Sequence, residues 1–187
     1  MKSIITLDKA AVQKLYKERM LKDFPEEELA QLSLVLDAID EGYGKCYALA
    51  EDDEILAYAL FGHFGEYSFF DYCAVREDLR GQGVGSVLLK MLREELAAAE
   101  IIFGEVIDPE CADSEEERKI RTRRLDFYIR DGFINTGIKV KIFGVDYVLV
   151  DMVIRDPIPT EEIREMYESL YRAFLSEEEF KENVIFK

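Results

Sequence analysis

Gly81-Gln82-Gly83-Val84-Gly85 sets three glycines at alternate positions between a strand-like run, residues 67–75, and a helix-like run that begins at Gly83. A polar segment, Arg76-Glu77-Asp78-Leu79-Arg80, leads into it. Glycine lets a backbone turn into left-handed conformations and lets a ligand approach the main chain closely. Beyond the loop, Val84, Val87, Leu88, Met91 and Leu92 mark an apolar helical face, and the helix reads as far as about Ala98. The first N–H groups of a helix have no partner inside it and lie at the positive end of its dipole. Such a mouth suits an anion, and phosphate is the usual occupant. The plain alternative is a glycine-rich turn between a strand and a helix. Two other phosphate loops do not fit. A Walker loop needs lysine before its Ser or Thr, and Ser86 follows Gly85. A dinucleotide fingerprint needs Gly-x-Gly-x-x-Gly after the first strand, whereas here three or four strand-like runs come earlier.

The rest of the chain supplies an α/β or α+β order around one mixed sheet. Residues 3–6 read as a strand. Val12, Leu15, Tyr16 and Met20 give a helix over 8–20, and a second helix is predicted from Pro25 through Leu29, Leu32, Leu36 and Ile39 to Gly42. Strand-like runs follow near 45–50, 55–64 and 67–75, the first two joined by the polar turn Asp52-Asp53. After the glycine loop and its helix come a strand over 101–107 and a charged helix from Ser114 to Arg130. Two paired strands are then predicted over 133–154, with Phe143-Gly144 between them. The composition shifts at Asp156-Pro157-Ile158-Pro159. The expected organisation is therefore one domain over 1–156 and a C-terminal helical appendage over 157–187 packed on it.

Charge and composition narrow the partners. The 187 residues hold 24 Lys and Arg against 40 Asp and Glu, a net charge of −16, which gives little long-range attraction for nucleic acid or anionic membrane. With 49% apolar residues the chain can bury a core, yet no apolar run approaches membrane-spanning length. Acidic Asp8 comes before any apolar signal region could develop, and Cys46, Cys73 and Cys111 are odd in number and in no metal-ligand spacing. One histidine, His63, argues against a multi-histidine metal centre. The expectation is a cytoplasmic protein, monomer or homodimer, with no metal.

Arg80-x-x-Gly83-x-Gly85 resembles the Q/R-x-x-G-x-G/A loop of the GNAT superfamily of N-acyltransferases, which use acetyl-coenzyme A. Tyr72-Cys73-Ala74-Val75 is similar to the end of that family's fourth strand, and Phe127-Tyr128-Ile129-Arg130-Asp131-Gly132-Phe133 to its F-Y-x-x-x-G-F segment. The element order agrees, so the resemblance spans about residues 3–154. It implies a mixed central sheet of about seven strands flanked by about four helices. It also implies acetyl transfer from acetyl-coenzyme A to an amine.

In such a protein the backbone of Cys73, Ala74 and Val75 would pair with the pantetheine arm and polarise the thioester. The amides of Gly81, Gln82, Gly83, Val84, Gly85 and Ser86 would hold the pyrophosphate, with Arg80 adding a charge. Amides suit a chain with few lysines to spare. Tyr128 matches the tyrosine that protonates the departing thiolate. Where many relatives carry Asn and Ala, this helix has Arg121 and Arg124, which with Tyr128 share one helical face. Arg118, Lys119, Arg123 and Arg130 complete a basic run that could meet cofactor phosphates, an acidic substrate group or only Glu115–Glu117. Arg124 and Phe127 are taken as cofactor contacts.

Glu105, on the strand 101–107, is the leading candidate for general base and is expected to need a partner such as Arg121 or Arg124. Asp71, within Phe69-Phe70-Asp71-Tyr72, and His63 rank below it. Cys73 would permit an acyl-cysteine route but has no histidine in its sequence context to activate it, so direct transfer is favoured. Aromatic and acidic residues between 16 and 71, Phe24, Tyr43 and Asp71 among them, suggest a pocket for a cationic small-molecule or protein amine. Two other readings are a non-catalytic coenzyme A or small-molecule sensor, and an interaction module whose C-terminal helix, with Met166, Tyr167, Leu170 and Tyr171, packs on a partner.

Overall fold

Five residues from Ser3 to Leu7 form β1, and Asp8 ends the strand by capping a helix, its carboxylate accepting the Ala11 amide at 2.8 Å. These belong to a computed structural model that describes residues 1–65, 67–97, 101–152, 156 and 158–187. Two compact units divide the chain, Met1–Ala98 and Ala99–Lys187.

In the first unit the helix predicted over 8–20 is helical throughout but not uniform. α1 (Lys9–Leu15) passes through a wide π-helical turn, Tyr16–Met20, into the short α2 (Leu21–Asp23). The predicted second helix is corrected: a single 3-10 turn, Glu26–Glu28, is followed by a break, and α3 begins only at Leu32 and runs to Asp40. The reason is competition for the backbone. Tyr16 donates its hydroxyl to the Ala30 carbonyl at 2.8 Å and Tyr72 to that of Glu28 at 3.0 Å, while the Ala30 amide donates to the Tyr72 oxygen at 2.9 Å. Two side chains thus take the hydrogen bonds that a continuous helix would have used.

Strands β2 (Gly44–Glu51), β3 (Glu54–Phe64) and β4 (Tyr67–Val75) match the predicted runs and pair antiparallel in the order β1-β2-β3-β4. The β2–β3 turn places Asp52 and Asp53 at φ 50° and 66°, the doubly left-handed geometry that suits a tight hairpin. Val12, Leu15, Tyr16, Met20, Cys46, Ala48, Tyr58 and Leu60 lie in its buried core. Helix α4 (Val84–Glu95) follows the glycine loop; the expected end at Ala98 lies outside the described residues.

The second unit orders its strands β5 (Ile101–Ile107), β7 (Val145–Met152), β6 (Phe133–Ile142) and β8 (Val184–Phe186), each pair antiparallel. Residues 153–155 and 157, within the expected strand end and composition shift, lie outside the described residues. The C-terminal stretch forms α6 (Thr160–Phe174) and α7 (Glu177–Asn183), and β8 then extends the sheet beyond the seven expected strands.

Alternation along paired strands defines two faces of this second sheet. One carries Phe103, Glu105 and their partners Asp151 and Leu149, and continues through Val140 to Phe186. α6 covers that face, the Tyr167 ring lying 6.2 Å from Phe103 and 6.0 Å from Phe186. Phe133 pairs with Met152, one residue beyond Asp151, and so points the other way, where it meets Tyr128 of α5 (Glu115–Arg130) at 5.2 Å.

Candidate functional site

The glycine loop has the geometry its sequence demands. Val75 ends β4, a 3-10 turn covers Glu77–Leu79, and Gly81 and Gly83 take φ of +77° and +79°. Gly83 is the N-cap of α4, and no side chain caps that helix. The amides of Val84, Gly85 and Ser86 therefore lack a partner within the helix. A Cβ built on Gly81 or Gly83 would meet nothing within 4 Å, so the space over this stretch of backbone is open. Open backbone, left-handed turns and an uncapped 12-residue helix fit a phosphate-bearing ligand.

Arg80 is already engaged. Its Nη2 donates to Asp23 Oδ1 at 2.6 Å and its Nε to the Val75 carbonyl at 3.1 Å. Asp23 is buried and also accepts the Tyr58 hydroxyl at 2.9 Å, with Arg19 Nε 3.7 Å away. The loop arginine thus spans the end of β4 and the end of α2. Gln82 turns its amide side chain onto the Asp78 carbonyl at 2.7 Å. A cleft of about 470 Å3 beside the loop sets the acids Glu51, Asp52 and Glu54 against Lys2 and Arg76, and Arg76 is already bound to Glu54 and Asp78, so the charge of the cleft is poorly suited to an anion.

Phe24 stacks edge-on against Tyr72 at 5.0 Å and Tyr43 lies 5.5 Å from Phe64, while Asp71 is exposed on β4. Cys73, Ala74 and Val75 are half-buried. His63 bonds Ser68 Oγ through Nδ1 at 2.7 Å and approaches the Tyr47 hydroxyl at 3.4 Å. Burial and Lys45 hold its imidazole below the usual value, so it is a neutral member of the β2–β3–β4 packing.

In the second unit Tyr128 is buried, its ring 5.1 Å from Phe127 and 5.2 Å from Phe133. Arg124 is exposed. Arg121 folds back on Glu117 and on the carbonyls of Asp108 and Cys111, both at 3.2 Å. The expected Glu105–arginine pairing is therefore corrected. Glu105 Oε2 instead accepts hydrogen bonds from the hydroxyls of Tyr167 and, at 3.3 Å, Tyr171. In the sequence both tyrosines stand out only within the C-terminal helix of the interaction-module reading, not as partners of Glu105. The signal was present as two tyrosines one turn apart on an otherwise apolar helix face. Glu105 and Tyr128 lie on opposite faces of their sheet.

Loss of hydration pushes the Glu105 carboxyl up to about 7, against the lowering effect of the two tyrosine hydroxyls. Raised in the folded state, this group favours folding while protonated, and that contribution is lost as pH climbs from the ordinary carboxylate value of 4.5 through 7. Thermal melts are expected to show stability falling over that window, and Glu105→Gln to flatten the fall. Equal slopes in the two proteins would contradict the assignment.

These features describe an α/β protein in which a glycine loop leads into an uncapped helix start. The chain belongs to the Acetyltransferase (GNAT) family, whose profile matches residues 9–111, more than half of its length. A search of curated proteins finds no significant match. Among solved structures the chain is similar to a protein from Bacteroides thetaiotaomicron assigned to the GNAT acetyltransferases, at 22% identity and TM-score 0.72, covering 92% of this chain and 97% of that one. It is also similar to the ribosomal-protein-S18-alanine N-acetyltransferase of Escherichia coli, at 17% identity and TM-score 0.62, covering 84% and 97%. A GNAT family acetyltransferase from Elizabethkingia anophelis with acetyl-CoA bound matches at 17% identity and TM-score 0.54, covering 81% and 97%. At these identities the likeness carries the fold, which is the α/β GNAT fold. No helix among the described residues is long and apolar enough to cross a membrane.

Proposed function

We propose that this chain is an N-acetyltransferase that moves the acetyl group of acetyl-coenzyme A directly to the amine of a cationic acceptor, a small molecule or a protein. The observation that carries the reading is the uncapped start of α4 behind the left-handed Gly81 and Gly83, with open space above both. Acetyl-coenzyme A is the co-substrate and supplies the acyl group in activated form as a thioester.

The chain's own residues do the rest. The loop amides from Gly81 to Ser86 bind the pyrophosphate without requiring lysine side chains. The main chain of Cys73, Ala74 and Val75 orients the acyl arm, and oriented amides of this kind lower a barrier because they need no reorganisation. Glu105 accepts a proton from the acceptor ammonium and Tyr128 gives one to the departing sulfur. As the C–N bond forms and the C–S bond breaks, the ammonium loses two protons. One leaves through Glu105 and the other replaces the proton given by Tyr128. A carboxyl near 7 is well matched to proton exchange at neutral pH. The surplus of acidic residues favours a cationic acceptor.

In this reading Arg80 serves the phosphates after leaving Asp23. Asp23→Asn removes the competing charge while keeping the side-chain shape, and acetyl-coenzyme A affinity is expected to rise roughly 3–10-fold, about 1 kcal/mol. Titration calorimetry on Asp23→Asn, Arg80→Ala and the double variant measures this, and the gain should vanish when Arg80 is absent. An unchanged affinity in Asp23→Asn would remove Arg80 from the phosphate site. The function itself is tested by thiol release from acetyl-coenzyme A across a panel of amines. Binding without release for every amine would leave a sensor, not an enzyme.

A further inference from the structure

Glu105 is held by a helix that lies outside both the matched family region, residues 9–111, and the segment of sequence resemblance. Tyr167 and Tyr171 of α6, one turn apart, both donate to the same oxygen, Oε2, so Oε1 is left without a protein hydrogen bond among the described residues. Tyr167 is fully buried, and Phe103, Phe186 and Tyr171 surround its ring at 6.2, 6.0 and 4.9 Å. A side chain fixed in this way sets the direction of the carboxylate it holds.

We propose that α6 is part of the catalytic apparatus, with Tyr167 and Tyr171 as positioning residues that hold Glu105 by Oε2 and leave Oε1 to meet the acceptor amine. The inference rests on the transferase reading above and deepens it by giving the C-terminal helix a role in the transfer step.

The surroundings isolate this pair of hydrogen bonds as the control on Glu105. Across β7 its direct neighbour is Leu149, with Tyr147 and Asp151 two positions away on the same face. Asp151 is buried and occupied by the Ile158 amide at 3.3 Å. On α6 the nearby charge of Arg164 is drawn to Glu168 and lies over the Phe186 ring at 4.4 Å. β6 and β8 present the apolar Val140 and Phe186 to this face, and Tyr128 of α5 lies on the other. Hydrogen bonds to the ionised form favour it, so the hydroxyls keep Glu105 ionisable in spite of its burial.

The test is the pH profile of kcat/KM for thiol release, measured on the full chain with the best acceptor from the amine panel. The acid limb of the unaltered protein should disappear in Glu105→Gln. In Tyr167→Phe, which keeps the ring, the limb should move up by roughly 0.5–1 pH unit, and in Tyr171→Phe by less, because its bond is longer. Acetyl-coenzyme A affinity should be the same in all of them. A rate lowered equally at every pH in Tyr167→Phe, with the limb unmoved, would show a structural tyrosine and overturn the proposal. Tyr171→Phe supplies the same comparison from a half-buried position should Tyr167→Phe fold poorly. If the limb survives Glu105→Gln, the base assignment falls and this inference with it. If the limb depends on Glu105 but neither tyrosine moves it, this inference alone falls. No turnover of any amine would instead refute the transferase reading.

Discussion

Gly83→Glu is expected to lower acetyl-coenzyme A affinity at least about 100-fold, close to 3 kcal/mol, while leaving the protein folded. Two effects separate cleanly at this position. The backbone sits at φ +79°, so any side chain adds roughly 1–2 kcal/mol of strain, which a domain of this size can absorb. Nothing lies within 4 Å of an added Cβ, so the free protein has room for it. A carboxylate at the helix mouth also interacts favourably with the positive end of α4, offsetting part of the strain. The same carboxylate then occupies the place where phosphate would take the amides of Val84, Gly85 and Ser86, and it repels the phosphates as a like charge. Gly83→Ala is the control, carrying the strain without the charge, and should lose far less affinity. Titration calorimetry together with thermal melts distinguishes the cases. Full affinity in Gly83→Glu would show that the anion binds elsewhere.

Tyr128→Phe should reduce kcat by roughly 100-fold, the lower range for a positioned proton donor, without changing acetyl-coenzyme A affinity. The ring is buried between Phe127 and Phe133, and phenylalanine preserves those contacts, so only the hydroxyl is lost. The hydroxyl is the group that would donate as charge builds on sulfur. An unchanged kcat would remove Tyr128 from the chemistry and leave it as a packing residue.

The geometry of the glycine loop was legible because it is local. Alternate glycines after a strand and before an apolar helical repeat permit left-handed turns, which Gly81 and Gly83 take, and offer no side chain to cap the helix that follows. The strands near 45–50, 55–64 and 67–75 and the 101–107 strand were equally plain, since short apolar runs mark them and the polar turn Asp52-Asp53 separates the first two. The helix expected from Pro25 failed because Tyr16 and Tyr72 capture the backbone at Glu28 and Ala30, a contact that local periodicity cannot see. Glu105 reads in the sequence as a carboxylate in need of a partner, yet Arg121 of the nearest basic helix is not that partner. The partner comes from 62 residues further on, where two tyrosines read as part of an apolar face. Arg80 was foreseen as a loop cation, but its hold on Asp23, 57 positions away, was not. In each case the missed partner is a hydrogen bond between residues remote in sequence, fixed only once the chain has folded.

The central claim is acetyl transfer to an amine, and thiol release measured on the full chain tests it most directly. With acetyl-coenzyme A and a panel of cationic amines, amino acids and peptides, release should appear only with particular acceptors, and each such acceptor should gain one acetyl group by mass. Thiol release that ignores the amine, or saturating acetyl-coenzyme A that neither binds nor releases thiol with any acceptor, would contradict it.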